Sequence, residues 1–191
     1  VIPLEGAWCK IINDGSSSTP SMTVSVNDAG LNTLSMDGDA NIIERSAYNN
    51  VNVIHDYMKS VLPSFTGMDW KLPTNVEITP HACNAFYNGT SINFYTDNVD
   101  CYSLAQVNDV VFHEYGHGIN YEFYADNGMS FQNGAMGEGY ADVWGYAELE
   151  DPLLGDGHNP MDLTAVIRRY DIEPKVYPND IINEVHADGE I

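Results

Sequence analysis

The chain has 191 residues, of which 28 are acidic and 7 are basic, so its formal net charge at pH 7 is −21. This balance argues strongly against a nucleic-acid partner, because phosphate binding needs clustered Lys and Arg side chains. With 43% hydrophobic residues the chain can bury a core, and it lacks the run of ~20 apolar residues that a membrane-spanning helix needs. We therefore expect an acidic globular domain with neither nucleic acid nor a membrane as partner.

The coarse pattern places strands early in the chain and helices late. Residues 1–38 are rich in Ser, Asn, Asp and Gly and predict strands and loops. Apolar residues then recur at steps of three and four and predict an amphipathic helix that stops at Pro63; they are Tyr48, Val51, Ile54, Met58 and Val61. Strand character returns from Val76 to Tyr95, around the turn signal Asn88-Gly89. This order predicts an α+β fold.

Two of the three cysteines flank this predicted strand-turn-strand segment. A disulfide between Cys83 and Cys101 would close a loop of ~18 residues and stabilise the fold by roughly 3 kcal/mol. The alternative is two buried free thiols. Cys9 is then unpaired or has a partner elsewhere, and a disulfide would favour an extracellular or periplasmic location.

A second helix is predicted from Leu104 to Tyr124, and it carries the most informative motif, His113-Glu114-Tyr115-Gly116-His117. Residues four apart on a helix lie on one face, one turn apart, so the two imidazoles can bind one metal ion with Glu114 close by. A separate apolar stripe on the same segment predicts the face that packs into the core; it consists of Leu104, Val107, Val111 and Tyr115.

A catalytic zinc site needs a third protein ligand and one open position. A third histidine six residues after His117 is not available, because that position is Phe123. A third predicted helix begins near Ala135 and offers Glu138 as the ligand. Asp142, four residues later, is placed to accept the N–H of a ligating histidine.

The segments 109–118 and 137–142 resemble the thermolysin-like gluzincins, and the form of residues 136–139 looks most like the fungalysin-type peptidases. The resemblance implies a two-lobed α+β zincin. Residues 1–125 would form the β-rich lobe with the active-site helix, and residues 126–191 would form a helical lobe that is only partly present. We expect this because the chain ends at Ile191, where the family continues with further helices.

The resemblance also implies roles for residues outside the two helices. Asn84 and Ala85 look like the edge strand that hydrogen-bonds an extended peptide, and Arg168 looks like the arginine that holds a substrate carbonyl. His186 looks like the histidine that stabilises the transition state. Two positions depart from the family pattern: Phe131 stands where a tyrosine assists the oxyanion, and Gly137 replaces an asparagine.

The implied function is a secreted, zinc-dependent endopeptidase that hydrolyses peptide bonds with a metal-activated water and Glu114 as general base. Its partners would be peptide or protein substrates and an N-terminal propeptide outside this chain. The alternative is a non-catalytic zinc- or calcium-stabilised domain, or an inactive fragment, of such a peptidase.

A structural calcium site is a further expectation. Acidic residues follow the third helix and join one acid on the second helix in a set that suits hard oxygen coordination of Ca²⁺; they are Asp109, Glu148, Glu150, Asp151 and Asp156. The alternative is a solvated acidic face. The histidines without a motif, His55, His81 and His158, are expected to be structural or on the surface, and residues 163–170 are expected to form a short helical stretch.

Overall fold

The computed structural model describes residues 1–130 and 133–191. These residues form eight strands, β1 to β8 in chain order, at Ile2–Pro3, Cys9–Asn13, Ser21–Met22, Leu72–Ala82, Ala85–Tyr87, Ile92–Thr96, Leu153–Leu154 and Arg168–Arg169. They also form four α-helices, α1 to α4, which span Ile42–Val61, Asn108–Asp126, Gly134–Leu149 and Val185–Gly189. None of the helices in the described parts of the chain is long and apolar enough to cross a membrane.

The main sheet has four strands in the order β2-β4-β6-β5. β4 pairs in parallel with both β2 and β6, whereas β5 returns antiparallel to β6 and lies at the sheet edge. Along β2 the side chains alternate in burial, with Ile11 fully buried and Lys10 and Ile12 partly exposed. This period of two is the expected pattern for a strand with one face on the core.

Helix α1 covers the core side of this sheet. Its first turn is closed by a capping box in which Asn41 accepts from the N–H of Glu44 and the Glu44 side chain accepts from the N–H of Asn41. Val51, Ile54 and Met58 are completely buried. The helix predicted from the spacing of its apolar residues is therefore present, and it ends at Val61, before Pro63.

Helix α2 is buried from Asp109 to Ile119, apart from the partly exposed His117. The predicted start at Leu104 is a separate 3-10 turn, Leu104–Gln106, and α2 itself begins at Asn108, because Val107 is extended. The apolar stripe is buried as predicted; Val111 and Tyr115 have no exposed surface.

Helices α3 and α4 approach their neighbours through glycines. A Cβ atom on Gly116 of α2 would lie 3.0 Å from the carbonyl oxygen of Ala141 in α3. A Cβ atom on Gly189 of α4 would lie 2.7 Å from the carbonyl oxygen of Ala135, and one on Gly139 would overlap the carbonyl of Gly189. Backbones can meet this closely only where no side chain intervenes.

The structure confirms one prediction near the sheet edge and corrects another at the end of the chain. Cys83 and Cys101 form a disulfide with an S–S distance of 2.08 Å, and Cys9 is a buried free thiol. The helix expected over residues 163–170 is wrong: turns precede the short strand β8, which pairs antiparallel with β7. The turn forms because the Asp162 side chain accepts from both the N–H and the hydroxyl of Thr164, a local bond that competes with helix formation.

Candidate metal centre

The two histidines of α2 face each other across one helical turn. Their Nε2 atoms are 3.0 Å apart, and the ring planes are inclined at 81°. His113 is buried, whereas His117 is partly exposed to the adjoining cleft. The i, i+4 spacing therefore produces the convergence that the sequence predicts.

Glu138 reaches the same point from α3. Its Oε2 lies 3.3 Å from Nε2 of His113 and 3.7 Å from Nε2 of His117. Among the His, Cys, Asp and Glu side chains of residues 1–130 and 133–191, one group of three has all its possible ligand atoms within 4.8 Å of one another. This group consists of His113, His117 and Glu138.

The separations between these atoms fit a metal ion. Tetrahedral ligands at zinc-nitrogen and zinc-oxygen bond lengths lie about 3.3–3.4 Å apart, which is close to the observed spacings. Glu138 Oε2 is buried and makes no hydrogen bond to the described residues, although buried carboxylate oxygens are normally satisfied. A shared cation would satisfy this oxygen and both imidazoles together.

The charges around the cluster favour a positive charge at its centre. Burial alone would lower the pKa of His113, but the hydrogen bond to Asp142 and the nearby carboxylate of Glu138 raise it to about 9. Burial and the neighbouring His113 lower the pKa of His117 to about 4. Burial opposes the ionisation of Glu138, yet His113 and His117 hold its pKa below the ordinary value. The carboxylates of Asp142 and Glu138 thus favour a proton on His113, and the same negative surroundings would favour a metal cation at the cluster.

Asp142 anchors the cluster from behind. Its Oδ1 lies 2.6 Å from Nδ1 of His113, and its two oxygens accept from Nε and Nη2 of Arg168 at 2.8 and 2.7 Å. The hydroxyl of Tyr170 donates to Oδ2 at 2.7 Å. Burial works against the charge, but His113 and Arg168 hold the pKa of Asp142 well below its usual range. With Nδ1–H donated to this carboxylate, His113 presents the Nε2 lone pair to the cluster.

Glu114 lies beside the three candidate metal ligands, and its side chain is almost completely buried. Burial, together with Glu138, raises the pKa of Glu114 to about 7, although His113 and the backbone N–H of Tyr87 oppose the shift. Its Oε2 has no hydrogen-bond partner among the described residues. A carboxylate that titrates near neutral pH is suited to take up and release a proton.

His186 is brought to the cluster by α4. Its Nε2 lies 3.4 Å from Oε2 of Glu138, and its Nδ1 lies 2.9 Å from Oε1 of Glu184. Glu184 also caps α4, because its side chain accepts from the N–H groups of His186 and Ala187. His186 is half exposed and therefore accessible from solvent.

Two cavities open on either side of the cluster, and both are bordered by Asn84, Ala85, His113, Glu114 and His186. The first, of about 360 Å³, extends to Arg168. The second, of about 670 Å³, follows β5 and is bordered by His117 and Glu138. The structure thus brings every residue predicted for the site to the cluster or to these cavities, with Asp142 in support.

Several residues around the site were not predicted from the sequence. Tyr170 binds Asp142 and Glu184 binds His186, but neither residue belongs to a motif. The backbone of Tyr87 contacts Glu114 only because the fold brings β5 next to α2. Gly137 and Tyr121 border the second cavity. Phe131, the predicted counterpart of the oxyanion tyrosine, lies outside the described residues.

A third cavity, of about 440 Å³, contains part of the acidic set predicted for calcium. Asp109, Asp151 and Asp156 border it, whereas Glu148 and Glu150 do not. Asp109 Oδ2 accepts from the N–H of Gly155 at 2.8 Å, but its buried Oδ1 has no hydrogen-bond partner in the described parts of the chain. Burial raises the pKa of Asp109 to about 6.

Comparison with known proteins identifies the family. The protein-family model for the thermolysin metallopeptidase catalytic domain matches residues 13–121, which is more than half of the 191-residue chain. The chain therefore belongs to the thermolysin metallopeptidase family. The matched region includes His113, Glu114 and His117.

One solved structure to which the chain is similar is the precursor of protealysin, a metalloproteinase from Serratia proteamaculans. The two share 22% sequence identity with a TM-score of 0.58, and the match covers 79% of this chain and 49% of that chain. The likeness supports the thermolysin-like fold, and this chain spans about half the length of the protein it matches. No curated protein matches the chain. The closer similarity to fungalysin-type peptidases stays a prediction.

Proposed function

We propose that this chain carries the catalytic site of a zinc-dependent endopeptidase. The observation that supports the proposal most directly is the convergence of His113, His117 and Glu138 beside the buried carboxylate of Glu114. We assign the three converging side chains as zinc ligands and Glu114 as general base.

The proposed chemistry divides between the ion and the side chains. A zinc ion at this cluster would supply a Lewis acid that acidifies water and polarises a carbonyl group. Glu114 would accept the proton of the attacking water at Oε2 and then pass it to the leaving amine. Because Glu184 holds the Nδ1–H of His186, Nε2 would donate only from the doubly protonated ring; in that form His186 would donate a hydrogen bond from Nε2 to the oxygen on which negative charge develops.

The remaining site residues would position the substrate. β5 is an edge strand that pairs with β6 on one side and borders both cavities on the other, so an extended peptide could add to it along Asn84 and Ala85. Arg168 uses Nε and Nη2 to bind Asp142, which leaves Nη1 to hold a peptide carbonyl. Asp142 would orient His113 and Arg168 together.

We further propose a structural calcium ion in the cavity bordered by Asp109, Asp151 and Asp156. The unpartnered, buried Oδ1 of Asp109 supports this assignment. A secreted location agrees with the Cys83–Cys101 disulfide, because disulfides persist in oxidising compartments. A propeptide partner, and a boundary between two lobes near residue 125, stay predictions.

Replacing Glu114 with Gln tests the function. The substitution keeps size and hydrogen-bonding capacity but removes the base, so it should leave bound zinc unchanged and reduce cleavage by about 10²–10⁴-fold. The measurement is hydrolysis of a quenched-fluorescence peptide library, with and without 1,10-phenanthroline, alongside elemental analysis of zinc.

Glu122→Gln is the matched control, since it makes the same substitution on α2 away from the cluster and should retain activity. Robust cleavage by the Glu114→Gln chain would refute the role of Glu114. Zinc binding without any cleavage by the unaltered chain would instead favour a non-catalytic, metal-stabilised domain.

A further inference from the structure

The cavity on the Arg168 side of the cluster combines an apolar interior with polar groups at its mouth. Leu104, Val110 and Leu154 border it and are buried. The cavity of about 360 Å³ has room for one large side chain. It opens directly beside Glu114, so a side chain placed here would belong to a residue next to the scissile bond.

His158 borders this cavity, and a hydrogen bond from its ring holds the imidazole in place. Its ring Nδ1 lies 2.7 Å from the carbonyl oxygen of Gly155, and its backbone N–H donates to the same oxygen at 3.2 Å. Because a carbonyl only accepts, Nδ1 must carry the proton, and Nε2 of the neutral ring is then an acceptor. Nε2 has no hydrogen-bond partner among the described residues. Tyr102 N–H binds the carbonyl of His158 at 2.8 Å and holds this loop in place.

The charges at the mouth also favour donors over acceptors. Asp100 borders the cavity and is exposed. Arg168 is the one Lys or Arg side chain among the residues that border it, and its charge is already paired with Asp142; His113, which also borders the cavity, is paired with the same carboxylate. An acidic substrate side chain would therefore meet Asp100 and Glu114 without an unpaired counter-charge.

We propose that this cavity selects an apolar side chain that ends in a hydrogen-bond donor, with tyrosine preferred over phenylalanine and His158 as the specificity-determining residue. The inference rests on the proposed peptidase function. The tyrosine hydroxyl would donate to Nε2 of His158 while its ring occupies the space beside Leu104 and Val110. The phenylalanine analogue fills the same space but leaves Nε2 without a partner.

The test compares peptides that differ only by Tyr or Phe, at positions on either side of the scissile bond. The unaltered zinc-loaded chain should cleave the Tyr peptide with kcat/KM about 3- to 10-fold higher, as expected for one hydrogen bond. His158→Asn keeps a donor for the Gly155 carbonyl, but its shorter side chain places no acceptor at the Nε2 position, so the Tyr/Phe ratio should fall to about 1. His158→Gln places an oxygen near the Nε2 position and should retain part of the preference. The ratio is insensitive to a general loss of activity.

Binding to the Glu114→Gln chain separates this inference from the proposed function, because binding needs no turnover. A Tyr preference in binding that His158→Asn abolishes would support the inference even if the unaltered chain cleaved nothing, an outcome that would refute only the peptidase proposal. Equal binding and cleavage of Tyr and Phe peptides, or a preference that survives in His158→Asn, would overturn the inference. Failure of both peptides to bind at millimolar concentration would overturn it as well.

Discussion

The buried carboxylate of Asp142 binds both His113 of the proposed metal site and Arg168, and Asp142→Asn tests how far the two side chains depend on it. The side chain accepts hydrogen bonds from His113, Arg168 and Tyr170 and has 1% exposed surface, whereas the Arg168 side chain has 10%. An amide in its place would turn an N–H₂ group toward donors and leave the guanidinium without a counter-charge. Breaking a buried pair in this way typically costs about 3–5 kcal/mol. Loss of the partner of a ligating histidine lowers metal affinity by about 10- to 100-fold.

Two assays separate these effects. Urea unfolding of the metal-free chain measures the stability loss, and competition with a chromophoric chelator measures zinc affinity. Asp171→Asn is the matched control, because Asp171 makes an equally bidentate contact with Arg169 at the surface, where solvent screens the pair, and its midpoint should match that of the unaltered chain. If Asp142→Asn unfolded at the same urea concentration as Asp171→Asn and bound zinc equally well, the reasoning would be refuted.

Two further predictions concern the calcium cavity and the disulfide. Because the pKa of Asp109 is raised from 3.8 to about 6, the folded state binds this proton more tightly than the unfolded state, and in EGTA the stability linked to Asp109 should be lost as the pH rises through about 6. Calcium should restore the melting temperature at pH 7.5 but have less effect at pH 5, and Asp109→Asn should abolish both dependences; a melting temperature indifferent to calcium would remove the site. Replacing Cys83 and Cys101 with Ser should lower the free energy of unfolding by roughly 3 kcal/mol, since the bridge closes a loop of 18 residues. Reductant should lower the urea midpoint of the unaltered chain to that of the double variant and leave the midpoint of the double variant unchanged. Equal midpoints for the two chains without reductant would contradict this prediction.

The parts of the molecule that could be predicted from the sequence are those governed by local spacing. The apolar repeat of α1 and the i, i+4 pair His113 and His117 need only helical geometry, so both could be placed before the fold was known. The juxtaposition of Glu138 with this pair was predicted because its own helix carries a second acid four residues later.

The parts that could not be predicted depend on contacts between segments distant in sequence. Tyr170 meets Asp142 across 28 positions, and no local pattern encodes that distance. Residues 163–170 do not form the expected helical stretch, because Asp162 and Thr164 close a turn there. Helix α4 has five residues, too few to show a period, and its position depends on packing against α3.

The glycine contact between α3 and α4 has a consequence for His186. Gly139 and Gly189 let the two backbones touch, so main-chain contact sets the distance between the backbones that carry Glu138 and His186. A Cβ atom added at Gly139 or Gly189 would push the two helices apart. It would move the imidazole of His186 away from the carboxylate of Glu138 although neither residue had been replaced. Two glycines without functional side chains therefore help to determine how closely His186 approaches Glu138.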